Sequence, residues 1–100
     1  MPARNIRYSS HLELRVKLRA IPRELPRTVY LGANRRFLDA STGFFIVVHT
    51  LPLGGKRREI AVVYRETERE VLLVTIHSLK ARQVQNRLAS GRWREIPLDT

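Results

Sequence analysis

One hundred residues make a chain of single-domain size, and 43% hydrophobic with 28% charged residues is a globular composition, not that of a disordered tail. The chain has no cysteine, which excludes disulfides and thiolate metal sites. Nineteen basic residues against nine acidic give a net charge of +10, a bias that attracts polyanions, nucleic acid first among them.

The bias is mostly arginine, sixteen against three lysines. Guanidinium pairs bidentately with phosphate and stacks on bases, which suits RNA or DNA. Codon composition or a thermophile's preference also produces such a ratio, but explains the scarcity of acids less well. An acidic protein partner would use the same charge. The start, Met1-Pro2-Ala3-Arg4-Asn5, lacks an apolar signal region. No apolar stretch reaches the roughly 18 residues of a membrane span. A cytoplasmic protein with no membrane partner is expected.

Ser10-His11-Leu12-Glu13 fits a capping box, a hydroxyl cap with Glu three residues on. Leu12 to Ala20 alternates as a half-buried strand would, but the cap and its helix-forming residues predict a helix that ends at Pro22. Pro26 suits the first turn of a second helix reaching Ala33 or Asn34, with Leu25, Val29 and Tyr30 inward. Arg36 to Asp39 reads as a short strand and Ser41-Thr42-Gly43 as a turn. Phe44 to Leu51 is aromatic and β-branched, hence strand, and Leu53-Gly54-Gly55-Lys56 is a hairpin signal. Arg58 to Tyr64 and Val71 to Ile76 read as central strands joined by the polar turn 66–70. Lys80 to Ser90 reads as a helix ended by Gly91, with Trp93 and Ile96 folding back as an apolar anchor. The predicted fold is α+β: two N-terminal helices packed on a three- to four-stranded antiparallel meander, with a C-terminal helix, in one domain over 1–100.

There is no Gly-rich phosphate loop of the P-loop or Rossmann type. His11, His49 and His77 lack local metal-ligand spacing, and Asp39 with Asp99 makes no two-metal carboxylate cluster. No metal and no cofactor is expected. What remains is acid–base chemistry on a phosphodiester, in which one histidine accepts a proton and another donates it. His11 and His77 are the candidate pair. Thr75, two residues before His77, shares its side of the strand and can orient substrate. Arginines stabilise the negative charge that develops on the phosphoryl oxygens, and the basic segment after His77 includes Arg87. Lys80, Arg82, Arg92, Arg94 and Arg15 are the candidate nucleic-acid contacts. The plainer readings make His11 a solvated helix-start residue, His77 a satisfied strand-end residue, His49 structural, Trp93 a core lid and most arginines surface charge.

The order Ser10-His11, the helix from Pro22 to Asn34, Asp39-x-x-Thr42-Gly43, Val62-Val63-Tyr64, Val74-Thr75-Ile76-His77 and Gly91-Arg92-Trp93 resembles the barnase–EndoU–colicin–RelE type of nuclease superfamily. It also resembles RelE/ParE-like toxins, over about Tyr8 to Trp93. The resemblance implies a metal-independent ribonuclease fold of the kind found in toxin–antitoxin systems. It implies roles for His11, Thr75, His77, Arg87 and Arg92, RNA as the partner, and an acidic antitoxin-type protein. The sequence departs from RelE-like toxins in its histidines, since those toxins usually act through Lys, Arg and Tyr. A non-catalytic nucleic-acid-binding module, or a toxin-like protein that binds a protein target, fits the same residues.

Overall fold

The computed structural model describes residues 4–98, so Met1, Pro2, Ala3, Asp99 and Thr100 lie outside the described residues. The elements in chain order are β1 (Asn5–Tyr8), α1 (Ser10–Leu18), α2 (Leu25–Gly32), β2 (Arg35–Asp39), β3 (Phe45–Leu53), β4 (Lys56–Glu66), β5 (Glu70–Ser78), α3 (Gln83–Ala89) and β6 (Trp93–Ile96). They form one sheet of order β1-β5-β4-β3-β2-β6, with β1 parallel to β5 and every other pair antiparallel.

This corrects the expected three- to four-stranded meander under two helices. The described chain opens with a strand, and the sheet has six strands. β1 and β6 hold only four residues each, too short for a period-2 pattern to register. Their partners are remote: Asn5 pairs with Glu70, and Trp93 with Asp39. Strand identity there comes from tertiary pairing, not from local propensity.

β4 lies third in the sheet and carries the uninterrupted run Ile60-Ala61-Val62-Val63, as a strand buried on both faces must. Alternation sends Ile60, Val62 and Tyr64 into one core, with Leu12 and Val16 of α1 and Val29 of α2. Ala61 and Val63 enter a second core, with Val84 and Leu88 of α3, Phe37 and Trp93. Helices therefore cover both faces, where the sequence reading assigned them to one. No helix of the described residues is long and apolar enough to cross a membrane.

Two local devices set the geometry around β5. Between Val63 and Tyr64 of β4 the partner passes from Thr75 to Leu73, so Val74 is bulged out of register. The extra residue resets the alternation. Leu73 and Ile76, three apart, both enter the α1/α2 core, while Thr75 and His77 lie opposite Val63 and Ala61 and face the α3 side. The second device caps an edge. β1 ends where Tyr8 meets Leu73, leaving the outer edge of β5 unpaired beyond that point. The α1 segment supplies the missing donors. Ser9 N–H bonds the Leu73 carbonyl at 2.9 Å, Ser9 Oγ donates to the Val74 carbonyl at 2.9 Å, and Arg15 Nε donates to the Ile76 carbonyl at 2.8 Å. Ser9 also accepts from Leu12 N–H, so the N-cap is Ser9 and not the expected Ser10. A cap of this kind contributes about 1 kcal/mol.

α2 closes tightly on β3. A Cβ at Gly32 would stand 2.7 Å from His49 Nε2, and His49 Nδ1 is buried with no hydrogen-bond partner among the described residues. Gly32→Ala is expected to destabilise the fold by about 1–3 kcal/mol through overpacking. The double variant Gly32→Ala/His49→Ala is expected to recover most of that loss in urea denaturation. Simple additivity of the two single losses would show that the ring is not the obstacle.

Candidate functional site

Strand β5 delivers Thr75 and His77 to the same side of the sheet, and the charges of two arginines on different elements act on the imidazole. Arg15 comes from α1, its Nε fixed to the Ile76 carbonyl one residue before His77. Arg87 comes from the last turn of α3. Burial holds the His77 pKa below its usual 6.5, and the charges of Arg15 and then Arg87 push it the same way. The ring is therefore neutral at pH 7, with a nitrogen lone pair free to accept a proton or a hydrogen bond. Arg15, held by its bond to the Ile76 carbonyl, and Arg87 can hold an anion, and the neutral imidazole can accept from a neighbouring hydroxyl.

The other residues singled out in the sequence divide into three groups. Lys80 and Arg82 are exposed in the connection between His77 and α3, with Arg82 in the left-handed region at φ 65°. Arg92 pairs with Asp39 at 3.4 Å. Burial raises the Asp39 carboxyl, but hydrogen bonds from the Ser41 hydroxyl and amide and from Arg92 outweigh it and hold the pKa below 3.8. Arg94 is exposed on β6, four strand spacings or about 19 Å from β5. It alternates with the inward Trp93, so it faces the side of the sheet away from His77.

His11 is exposed near the start of α1, four residues before Arg15 and on the same helical stripe. The charges that reach His77 are those of Arg15 and Arg87, so the cationic partner from α1 is Arg15. Among the described residues no group of three or more His, Asp or Glu side chains is placed to hold a metal ion.

A second polar concentration lies on the opposite, α1/α2 side, and the sequence reading passed over it. Arg36 is 7% exposed. Its Nε donates to the Tyr64 hydroxyl at 2.7 Å and its terminal nitrogens reach Glu66 at 3.0 Å and the Pro97 carbonyl at 3.4 Å. The guanidinium lies 4.7 Å from the Phe45 ring centroid. Glu66 also pairs with Arg4, so one carboxylate serves two guanidiniums. The available signal was the alternation of β2, in which an inward Phe37 forces Arg36 to the other covered face.

A depressed histidine pKa makes the unfolded chain bind a proton more readily than the folded one as pH falls below about 6.5. The His77 contribution is therefore present above that pH and lost as pH drops through the lower folded pKa. In denaturant melts between pH 7.5 and 5, wild type is expected to lose stability with acidification. His77→Gln is expected to flatten that profile, and an unchanged slope would contradict the burial of a neutral ring. Comparison of the chain with protein-family models, with curated proteins and with solved structures finds no match.

Proposed function

We propose that the protein binds RNA, holding a phosphodiester between Arg15 and Arg87 and the adjacent 2′-hydroxyl at His77. The observation that carries this reading is Arg15 of α1 bonded to the Ile76 carbonyl beside His77, with the charges of Arg15 and of Arg87 on α3 acting on a neutral imidazole at the end of β5. Guanidiniums bind phosphate without regard to sugar. An imidazole that stays neutral accepts from the 2′-hydroxyl, the group that distinguishes RNA from DNA. Thr75, on the same side of β5, adds a hydroxyl to the site.

The wider charge supports the same partner. Ion pairs occupy Arg4, Arg7, Arg23, Arg35, Arg36 and Arg92. Arg15, Lys80, Arg82 and Arg87 are among the cations in no ion pair among the described residues; Lys80 and Arg82 lie in the connection between β5 and α3, and Arg87 in the last turn of α3. Desolvation of such unpaired cations against phosphate releases counterions and makes binding steeply salt-dependent. A RelE/ParE-type kinship, with an acidic protein that masks this surface, belongs to the same proposal.

A second reading is favoured by the protonation state of His77: metal-independent RNA cleavage. The imidazole takes the 2′-hydroxyl proton, and the 2′-oxygen forms a bond to the adjacent phosphorus. The bond from phosphorus to the 5′-oxygen breaks, the leaving oxygen takes its proton from water, and the hydroxide so formed takes the proton back from the imidazolium. Arg15 and Arg87 stabilise the charge on the phosphoryl oxygens, and the product is a 2′,3′-cyclic phosphate. His11 has no role in this version.

The test is fluorescence anisotropy with single-stranded RNA and DNA of one sequence across a salt series, plus gel analysis of the RNA in EDTA. RNA is expected to bind more tightly than DNA. Arg15→Ala and Arg87→Ala are each expected to lower the log–log salt slope by about 0.7. His77→Ala is expected to narrow the preference for RNA. Wild-type slopes in both arginine variants would sink the site. Cleavage that persists in His77→Ala, or is lost in His11→Ala, would sink the single-histidine mechanism.

A further inference from the structure

We infer that the cleft on the α1/α2 side of the sheet is a second binding site, selective for a phosphate monoester carrying an apolar body. The cleft has a volume of about 530 Å³, within the usual range for small-molecule sites. It lies between α2 and the sheet, on the opposite face from His77, and the inference does not depend on RNA binding.

The polar groups of the cleft are nearly all donors. Arg4, Arg27 and Arg36 line it against a single carboxylate, Glu66. Arg4 and Arg36 share that carboxylate, while Arg27 enters no ion pair among the described residues. The Tyr64 hydroxyl accepts from Arg36, which leaves its own proton to donate. The Tyr30 ring meets the Tyr64 ring edge-on at 5.1 Å and lines the same space. Burial pushes the Tyr64 pKa up to about 12, against the lowering effect of Arg36, and burial also raises that of Tyr30. Both phenols therefore keep their protons at physiological pH. Guanidiniums in excess of carboxylate, together with two protonated phenols, recognise an acceptor-rich anion.

The remaining walls define the rest of the ligand. Ile6, Leu31, Val47 and Val71 present apolar surface to the same space. Inorganic phosphate would leave that surface wet, and an uncharged ring would leave Arg27 unpaired. The two halves together select a molecule with a phosphoryl end and an apolar end. The site is also preorganised, since Arg36 is clamped by Tyr64, Glu66 and Phe45 before any ligand arrives.

The experiment is isothermal titration of the whole chain with phenyl phosphate, inorganic phosphate, phenol and benzoate. Phenyl phosphate is expected to saturate one site with a Kd below about 1 mM. The other three are expected to bind at least about tenfold more weakly. Arg27→Ala, a change at an exposed position, is expected to weaken phenyl phosphate by about tenfold. It should leave the melting temperature and RNA affinity at their wild-type values, whereas Arg87→Ala weakens only RNA. Tyr30→Phe is expected to weaken phenyl phosphate severalfold by removing one donor. Equal binding of inorganic phosphate, equal binding of benzoate, no saturable phenyl phosphate binding, or an Arg27→Ala variant that binds as wild type would each overturn the inference.

Discussion

An unpaired strand edge governs the arrangement of this molecule. β1 covers β5 only as far as Leu73, and the carbonyls beyond it still need donors. The chain meets that demand with the very next segment, through Ser9 and Arg15. The same bonds seat α1 so that Leu12 and Val16 are buried and Arg15 is held at the rim of β5. One backbone constraint thus fixes a helix, a core and a cation together.

The treatment of charge follows from how few acids the chain has. Two carboxylates carry more than one task each: Asp39 ties Arg92 to the turn at Ser41, and Glu66 takes both Arg4 and Arg36. Burying Arg36 is tolerable because its guanidinium finds a phenol, a carboxylate, a carbonyl and an aromatic face. Where no acid is available, cations stay at the surface and repel one another, and an external anion relieves that repulsion. The two faces of the sheet resolve the same excess differently. The α3 side carries an imidazole under the charges of Arg15 and Arg87, and the α1/α2 side carries a walled cleft rich in donors.

Much of the fold was legible wherever local chemistry is decisive. The hairpin at Gly54-Gly55 uses two positive-φ glycines, at 59° and 80°, as a tight turn between twisted strands demands. Pro26 lies in the first turn of α2 with Val29 inward, and the apolar runs of β3, β4 and β5 are strands. The terminal strands were not legible, because Asn5–Tyr8 and Trp93–Ile96 become strands only by pairing with β5 and β2. The cap slipped by one residue because Ser9 and Ser10 are both competent hydroxyls. Ser9 prevails because its Oγ also reaches the Val74 carbonyl.

The sequence by itself determined the charge excess, the dominance of guanidinium, the absence of thiols, and an apolar strand with Thr75 and His77 at its end. It did not determine which side of the sheet those two residues face. Plain alternation from Val71 and Leu73 would send them into the α1/α2 core. The bulge at Val74, set by pairing with β4, turns them to the α3 side. Nor did it determine their company: an edge carbonyl recruits Arg15 and the packing of α3 brings Arg87, while His11 stays in solvent. Register and edge satisfaction join residues some sixty positions apart, and no local pattern encodes them.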